Sequence, residues 1–243
     1  MLSIILPTFN ERENIIILLL ELEQILDVEY EAIVVDDDSP DLTWQAVKDF
    51  SATHQNVRLL RRMDERGLTS ALNAGLKMAK GQLIMWMDVD LSMPPKKIPE
   101  LLQAIDNGAD VAVGSRYVKG GGDARAVNFL LATQLLLSKV LSILGGWMLG
   151  CRFRDWSSGF IVMKRETLGT YKLKGDYGEY FIALICYLVK TRKAKVVEVP
   201  YVLVPRVLGE SKTATNLWGF MRRGRKYLRS ILQQRFGREI QNN

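Results

Sequence analysis

Short apolar runs alternate with segments of helical periodicity along the first half of the chain, and this alternation restricts the fold more than any other feature. The apolar runs are rich in aliphatic and β-branched residues and have the length of buried strands: Leu2–Leu6, Ala32–Val35, Val57–Leu60, Leu83–Met87 and Val111–Val113. Helix-period segments fill three of the intervals: Glu11–Leu26, Thr43–Ala52 and Leu68–Ala79. Continuously apolar strands joined by helices predict an α/β fold with a mainly parallel central sheet flanked by helices.

Polar residues follow three of these predicted strands directly. They are Asn10 and Glu11, then Asp36–Asp38, then Asp88 and Asp90 on either side of Val89. Ligands of open parallel sheets bind at the carboxyl ends of the strands, so we expect these residues to share one crevice. A triple glycine, Gly120–Gly122, follows the fifth strand, and we interpret it as a mobile loop.

Asp88 and Asp90 place two carboxylates at one strand end. Such a pair can hold a hard divalent cation, Mg²⁺ or Mn²⁺, that bridges two phosphates, although acidic residues at strand ends are also common turn formers. The second cluster, Asp36–Asp38, can accept hydrogen bonds from a nucleobase or ribose. It can equally form a turn and a helix cap, and the pattern alone leaves both open.

Basic residues in three loops near glycine can reach phosphate oxygens, with surface solvation as the competing interpretation: Arg116, Arg206 and Lys212. The only histidine, His54, lies at a predicted helix end, so a serine or cysteine nucleophile activated by histidine is disfavoured. A hydroxyl acceptor would therefore need a carboxylate base, either Asp155 or another carboxylate. An acceptor phosphate needs none, because its second pKa is ~6.

The pattern continues in the second half of the chain. The sequence predicts strands at residues 159–163 and 195–204, the second interrupted by Pro200, with a helix at Tyr180–Val189 between them. Residues 126–151 are almost entirely apolar, and their length permits a membrane span. Because Lys139 lies near the middle and two glycines follow, we favour interfacial helices over a buried helix or a true span.

The C-terminal end carries the excess of positive charge. The chain has 33 Lys and Arg against 27 Asp and Glu, and in residues 206–238 the one acid is Glu210. Residues 216–243 therefore predict a basic amphipathic helix suited to an anionic membrane, or more simply a solvated helix face. We expect no nucleic-acid partner, because the aromatic residues lie beside aliphatic ones. Without a secretory leader or paired cysteines, a peripheral place on the cytoplasmic face of a membrane is expected.

Several motifs, in order, resemble those of the dolichyl-phosphate mannose synthases, which are family 2 glycosyltransferases of the GT-A fold. They are LSIILPTFNERENI, IVVDDDSPDLTW, GLTSALNAGL, MDVDLSMPP, GSRYVKGG, SSGF and GESK. The resemblance is continuous over residues 2–118 and thins to short islands beyond. It implies inverting transfer of a hexose, mannose from GDP-mannose, to dolichyl or polyprenyl phosphate with Mg²⁺ or Mn²⁺. A separate membrane-anchor subunit is compatible with it.

The resemblance also implies roles for individual residues. The nucleoside would lie against Pro7, Phe9, Glu11, Val35 and Asp37. The metal and diphosphate would be held by Asp88, Val89 and Asp90. The phosphates would be bound by Arg116, Arg206 and Lys212, with Ser138 on the acceptor side. Asp90, Arg116 and Asp155 would carry the chemistry.

The implied organisation is a glycosyltransferase domain at residues 1–215 followed by the C-terminal helix at 216–243. Residues 1–118 form its nucleotide-sugar and metal half. Residues 119–215 form its acceptor half, which includes the interfacial helices at about 126–151.

Three departures from the family pattern affect sugar and acceptor recognition, and one of them is the stretch Gly175–Tyr180. Ser92 stands where the synthases often carry Gln, and Gln134 stands where an acceptor-helix Arg is expected, although Arg125 can substitute from the loop. A transferase that uses UDP-glucose or UDP-N-acetylglucosamine with a polyprenyl phosphate therefore stays open. So does a function of another class, a catalytically inactive membrane-associated binding module.

Overall fold

A computed structural model describes residues 1–125, 139–140, 142–143, 145–176, 178–206, 208 and 217–236, without the side chains of residues 217–223. The strands are β1 (Leu2–Thr8), β2 (Tyr30–Asp36), β3 (Val57–Arg61), β4 (Leu83–Trp86), β5 (Val111–Ser115), β6 (Gly122–Asp123), β7 (Ile161–Lys164), β8 (Val196–Pro200) and β9 (Val202–Leu203). The helices are α1 (Arg12–Ile25), α2 (Thr43–Ser51), α3 (Leu68–Met78), α4 (Ile98–Asp106), α5 (Arg165–Leu168), α6 (Tyr180–Cys186) and α7 (Leu217–Phe236). A 3₁₀ turn, Pro95–Lys97, precedes α4, and a π-helical turn, Tyr187–Thr191, follows α6.

Seven strands form one sheet in the order β3-β2-β1-β4-β7-β5-β8. The pairs β1–β2, β2–β3, β1–β4 and β5–β8 are parallel, whereas β7 runs antiparallel to both β4 and β5. The predicted mainly parallel sheet flanked by helices is confirmed. The antiparallel β7 separates β4 from β5, so the sheet has one part built on β1 to β4 and another built on β5 and β8.

Side chains of alternate strand residues supply the two faces of the sheet. In β1, Ile4 and Leu6 join the core with α1 and α2, whereas Ile5 joins the core with α3 and α6. All three side chains are fully buried. Burying a side chain of this size contributes about 1.5–3 kcal/mol, which explains why β1 is continuously apolar rather than alternating.

The structure refines the predictions for the second half of the chain. The segment 195–204 is two strands, because the chain leaves the main sheet after Pro200 and β9 then pairs with β6. The triple glycine predicted as a mobile loop includes the first residue of β6. At Gly121 a Cβ would stand 2.5 Å from the Ser115 carbonyl oxygen, so close backbone approach excludes a side chain there. Helix α4 was not predicted.

The predicted C-terminal helix is present as α7, but its apolar residues do not form one outward face. Ile231 is buried beside Gly145, and the Ser230 hydroxyl donates to the Glu179 carbonyl, so one side of α7 packs on the body. Leu228 and Leu232 stay exposed. A helix that packs on a globular body has to bury the side that faces it.

The predicted interfacial segment at 126–151 falls partly outside the described residues. Residues 145–149 are helical, with Leu149 buried and Trp147 81% exposed. Among the helices that can be described, none has the length and apolarity needed to cross a membrane.

Two glycine substitutions test this packing. A Cβ on Gly75 of α3 would overlap the Ile5 side chain and lie 3.3 Å from Val35 Cγ2, whereas Gly224 of α7 has no atom within 4 Å of its Cβ position. We expect Gly75→Ala to lower the free energy of unfolding by about 1–3 kcal/mol, because it overpacks the α3–β1 contact. Gly224→Ala should raise it by up to about 1 kcal/mol. Urea unfolding measures both, and equal midpoints for the two variants would contradict the packing described.

Candidate active site

The carboxyl ends of β1, β2 and β4 form one edge of the sheet, as the sequence predicted. Thr8 pairs with Asp36, and Ile5 pairs with Trp86, so the residues that follow these strands emerge side by side. Glu11, Asp37 and Asp88 come from three different strand ends to this edge. We call the surface at this edge, between the loops that follow the three strands, the cleft.

Asp36 and Asp41 build the loops of the cleft. Asp36 is fully buried and accepts hydrogen bonds from the Thr8 hydroxyl at 2.8 Å and from the Ser39 amide at 2.9 Å. Asp41 accepts from the Thr43 amide at 3.0 Å and from the Arg12 amide at 3.1 Å, which ties the starts of α1 and α2 together. The turn-and-cap interpretation therefore holds for these two carboxylates.

Asp37 is held by a second layer of residues that the sequence did not single out. Both Nε and Nη2 of the buried Arg62 donate to Asp37 Oδ1, and the Gly67 amide donates to Oδ2 at 2.8 Å. Arg62 also reaches the Ser70 hydroxyl at 2.9 Å. The Asp37 carboxylate is thus fixed in orientation at the edge where a nucleoside is expected. In the sequence, the two adjacent basic residues at the end of β3 could have indicated this contact.

Aromatic and apolar residues line the same edge. The Arg66 guanidinium lies 5.3 Å from the centroid of the Phe9 ring. Pro7 is half-buried at the end of β1. Val35 packs inward against α3, so it can offer a ligand only its backbone. Successive side chains along β2 point to opposite faces of the sheet, so Asp36 lies on one face and Val35 on the other.

Asp88 and Asp90 lie beyond β4 in an electrostatically strained position. Asp88 is exposed to solvent, yet partial desolvation by the surrounding protein raises its pKa to about 7, with further contributions from the negative charges of Asp90 and Glu11. The positive charges of Arg125 and Arg116 oppose this rise.

The turn after β4 fixes the second carboxylate of the pair. Asp90 Oδ1 accepts from the Ser92 amide at 3.1 Å, and the Ser92 carbonyl accepts from the Val204 amide at 3.0 Å. Ser92, which stands where the resemblance expects Gln, is buried, and Val89 packs in the core. Val89 can therefore offer a ligand only its backbone.

The donor set fits a divalent cation that shares its ligands with a substrate. Such a cation reduces the electrostatic repulsion between the two carboxylates. Nowhere in the described ranges do three or more His, Cys, Asp or Glu side chains form a metal-binding group. Oxygen atoms of a bound diphosphate would have to complete the coordination.

Arg116 and Asp155 form a buried ion pair across 39 residues of sequence. The Arg116 amide, Nε and Nη2 donate to the fully buried Asp155 carboxylate at 2.9, 2.8 and 2.6 Å. Burial lowers the pKa of Arg116, but Asp155 outweighs it and the pKa is raised well above its ordinary value. Asp155 is thus placed to hold Arg116 rather than to take a proton from an acceptor.

Arg206 is held in a similar way from the other side of the cleft. Its Nη2 donates to Glu11 Oε2 at 2.7 Å, and its Nε donates to the Leu208 carbonyl at 2.8 Å. Asn14 donates to the same Glu11 oxygen at 2.8 Å and to the Leu208 carbonyl at 3.1 Å. Glu11 therefore helps to position Arg206. Lys212 and Ser138 lie outside the described residues.

The Asp155 segment rests on a half-buried acid, Glu198, that the sequence did not single out. Glu198 of β8 accepts from the Arg154 amide at 3.0 Å and from the Asp155 amide at 3.1 Å. Burial raises the pKa of Glu198, while these two hydrogen bonds oppose the rise. No local sequence pattern marks this contact, because it spans more than 40 residues.

Comparison with known proteins shows what the chain is similar to. The profile of "Glycosyl transferase family 2" matches residues 3–168. Dolichol-phosphate mannosyltransferase of Pyrococcus furiosus is 41% identical over 214 residues, which is 86% of this chain and 58% of that protein. Polyprenol monophosphomannose synthase of Mycolicibacterium smegmatis is 33% identical over 215 residues, covering 86% of this chain and 79% of that protein. The chain thus spans less than two thirds of the length of the first of these relatives.

A solved structure gives the same fold. Glucosyl-3-phosphoglycerate synthase of Mycobacterium tuberculosis, in complex with Mn²⁺ and UDP-glucose, superposes with a TM-score of 0.69 at 20% identity. The match covers 96% of this chain and 78% of that chain. At this identity the likeness concerns the fold alone, and together with the family profile it confirms the GT-A fold.

The buried ion pair yields a testable prediction. Asp155→Asn leaves the Arg116 charge buried without its partner, so we expect the free energy of unfolding to fall by about 3–5 kcal/mol. Ser157→Ala removes the hydrogen bond that Arg116 Nη2 makes at 2.7 Å and a long one to Asp155 Oδ1 at 3.5 Å, and it is the matched control because both charges of the pair stay in place. That control should lose about 1 kcal/mol. Denaturant unfolding measures the free energy of unfolding of both variants. If Asp155→Asn were as stable as the control, the ion pair would have no structural role.

Proposed function

The chain belongs to glycosyl transferase family 2, and from that premise we propose that it transfers mannose from GDP-mannose to the phosphate of a polyprenyl lipid at a membrane surface. The two curated relatives carry names of mannosyl transfer to dolichol or polyprenol phosphate and match 86% of the chain. The wider glycosyltransferase activity follows from the family. The identities of the donor sugar and of the acceptor are proposed in addition to that activity.

The make-up of the cleft is the observation that carries the proposal. It combines an acidic pair, suited to a leaving diphosphate, with arginines fixed by carboxylates. Asp155, the base named for a hydroxyl acceptor, is buried under Arg116, and His54 stacks on Phe50 beside α2. An acceptor that is already ionised suits such a site.

The donor would bind with its nucleoside over the ends of β1 and β2. Phe9 and Asp37 offer it an aromatic face and a carboxylate whose orientation Arg62 fixes. The diphosphate would lie towards Asp88 and Asp90, beyond the neighbouring strand β4. A divalent cation held by these two carboxylates would, when bound, draw negative charge from the diphosphate and make it a better leaving group.

Transfer would be a single displacement. A phosphate oxygen of the acceptor attacks the anomeric carbon, the bond from that carbon to the diphosphate oxygen breaks, and its electron pair leaves with GDP. The anomeric configuration inverts. Proton transfer is unnecessary, because a phosphate monoester with a second pKa of ~6 is largely ionised at neutral pH. The protein's task is then to position the two phosphates in line and to compensate their charge.

The direct test offers purified protein a polyprenyl phosphate with Mn²⁺ or Mg²⁺ and a panel of GDP- and UDP-sugars. We expect mannose from GDP-mannose to enter the lipid phase. Transfer from UDP-glucose or UDP-N-acetylglucosamine instead would support the alternative donor. Transfer from no donor would indicate a binding module.

In the same assay we expect Asp90→Ala to lower the transfer rate by more than about 100-fold, because stabilisation of the leaving group is lost. Chelation of divalent cations should have the same effect on the wild type. The exposed Asp106, at the end of α4 and outside the cleft, provides the control variant Asp106→Ala, which should stay active. Full activity in the presence of chelator would exclude this mechanism.

We extend the proposal to peripheral binding at the cytoplasmic face of a membrane. Ile143 and Trp147 are 63% and 81% exposed on one segment, and Phe236 is 73% exposed on α7. Ile231 of α7 packs beside Gly145, so the two segments are neighbours. Exposed apolar side chains accompanied by basic residues suit an anionic lipid surface.

Charge removal on α7 tests this binding without disturbing the buried Ile231. We expect the combined Arg225→Gln, Arg229→Gln and Arg235→Gln variant to bind anionic vesicles at least about tenfold more weakly, since each basic residue near the surface contributes ~1 kcal/mol. The loss should shrink in high salt, because the Debye length falls from ~30 Å at 0.01 M to ~3 Å at 1 M. Cosedimentation measures both.

The control removes the same charge from exposed positions elsewhere: Lys48→Gln, Lys77→Gln and Lys80→Gln. Equal loss at both salt concentrations would mean that apolar burial, not charge, holds the protein. A wild type that binds no vesicles would contradict peripheral binding by this chain alone.

A further inference from the structure

A cavity of about 380 Å³ lies between helix α3 and the loop that follows α5. Ser70 and Asn73 line it from α3, Arg165 lines it from the start of α5, and Tyr171 lines it from the loop. Its volume is within the ~300–1,000 Å³ of most small-molecule sites. Of the described residues expected at the nucleoside, the metal or the phosphates, none lines this cavity. It is therefore distinct from the cleft.

Arg165 brings a hydrogen-bond donor without an acceptor to this cavity. Its amide donates to the Gln82 carbonyl at 2.8 Å, and its Nε donates to the Gly81 carbonyl at 2.7 Å, so the side chain is fixed. The Nη2 atom is buried, and within the part of the chain that the structure describes it has no hydrogen-bond partner. Such a group is rare in native proteins, because it loses its bonds to water without replacement. An acceptor from outside the chain would satisfy it.

The charged side chains that line the cavity favour an anion. Three are basic, Lys77, Arg165 and Lys172, and one is acidic, Glu65. Glu65 is largely exposed and already pairs with Arg62, whose Nη1 donates to its Oε2 at 3.3 Å. Glu65 precedes α3, whereas Arg165 contacts Gly81 beyond the other end of that helix. Positive charge therefore prevails beside the buried Nη2 atom, where a guanidinium suits the oxygens of a phosphate.

The walls of the cavity are held by contacts within the chain. The Asn73 amide group donates to the Leu173 carbonyl at 2.9 Å and accepts from the Leu173 amide at 3.0 Å, which ties the loop to α3. The Tyr171 ring stacks on the Tyr187 ring with their centroids 4.2 Å apart. A ligand would therefore meet a site that is already formed, and its binding would require little ordering of the protein.

We propose that this cavity is a second binding site, which takes a small molecule carrying a phosphate group, with Arg165 and Lys172 as its charged contacts. The volume leaves room for an organic part beside the phosphate. The site does not depend on the function proposed above. Phosphates are also expected to bind in the cleft, so the test has to separate the two places.

The experiment titrates mannose 1-phosphate and, separately, inorganic phosphate into the full chain in a calorimeter, with and without GDP and Mn²⁺ at high concentration. We expect both probes to bind and mannose 1-phosphate to bind more tightly. Their affinities should be the same with GDP present, because the cavity lies outside the cleft. We expect Arg165→Gln to weaken binding by about tenfold or more, as loss of a charge-assisted hydrogen bond requires.

Lys172→Gln tests the same site without touching a buried group, since Lys172 is exposed, and it should weaken binding by about two- to fivefold. Lys174→Gln is its matched control, because it removes an exposed charge from the same loop but does not line the cavity. That control should bind like the wild type.

Three results would overturn the inference. Unchanged affinity in both Arg165→Gln and Lys172→Gln would exclude these contacts, and loss of probe binding when GDP is present would place the probe in the cleft. If neither probe binds the wild type, the cavity holds only water. If GDP itself fails to bind while mannose 1-phosphate still does, the proposed function fails and this site stands.

Discussion

Mutual repulsion among the carboxylates at the sheet edge is the constraint on which the rest of the cleft depends. The parallel strands β1 and β4 bring Glu11, Asp88 and Asp90 together, and partial desolvation with the negative charges of Asp90 and Glu11 raises the pKa of Asp88 to about 7. A sheet that only had to be stable would not gather acids in this way. The charge is useful when a cation and a diphosphate enter together, because the acids then become ligands.

Four arginines around the cleft share one arrangement, in which each is paired with a carboxylate. Asp155 holds Arg116, Glu11 holds Arg206, Asp123 holds Arg125, and Asp37 is held by Arg62. Each pair neutralises a partly buried charge and at the same time fixes the direction of a guanidinium. Groups fixed before substrate arrives need no reorganisation during the reaction, which is where electrostatic catalysis gains most.

Local sequence predicted most strands and helices of the first half and the sheet edge that carries the acids, but not α4 or the side-chain pairings across that edge. Strand β1 and the acidic residues after β2 and β4 were predictable, because apolar runs, turn residues and the geometry of parallel sheets are local or general properties. The pairing of Arg116 with Asp155 spans 39 residues, and the antiparallel direction of β7 depends on the whole chain. Both are set by tertiary packing, which local patterns do not encode.

Calorimetric titration of GDP into the protein, with Mn²⁺ and with chelator, tests most directly whether the acidic pair exists to receive a diphosphate. If it does, GDP should bind at least about tenfold more tightly with the metal, and Asp88→Asn should abolish that difference while leaving the fold intact. If GDP instead binds the wild type equally well in chelator, the acids do not hold a metal–diphosphate complex. The central claim would then be wrong.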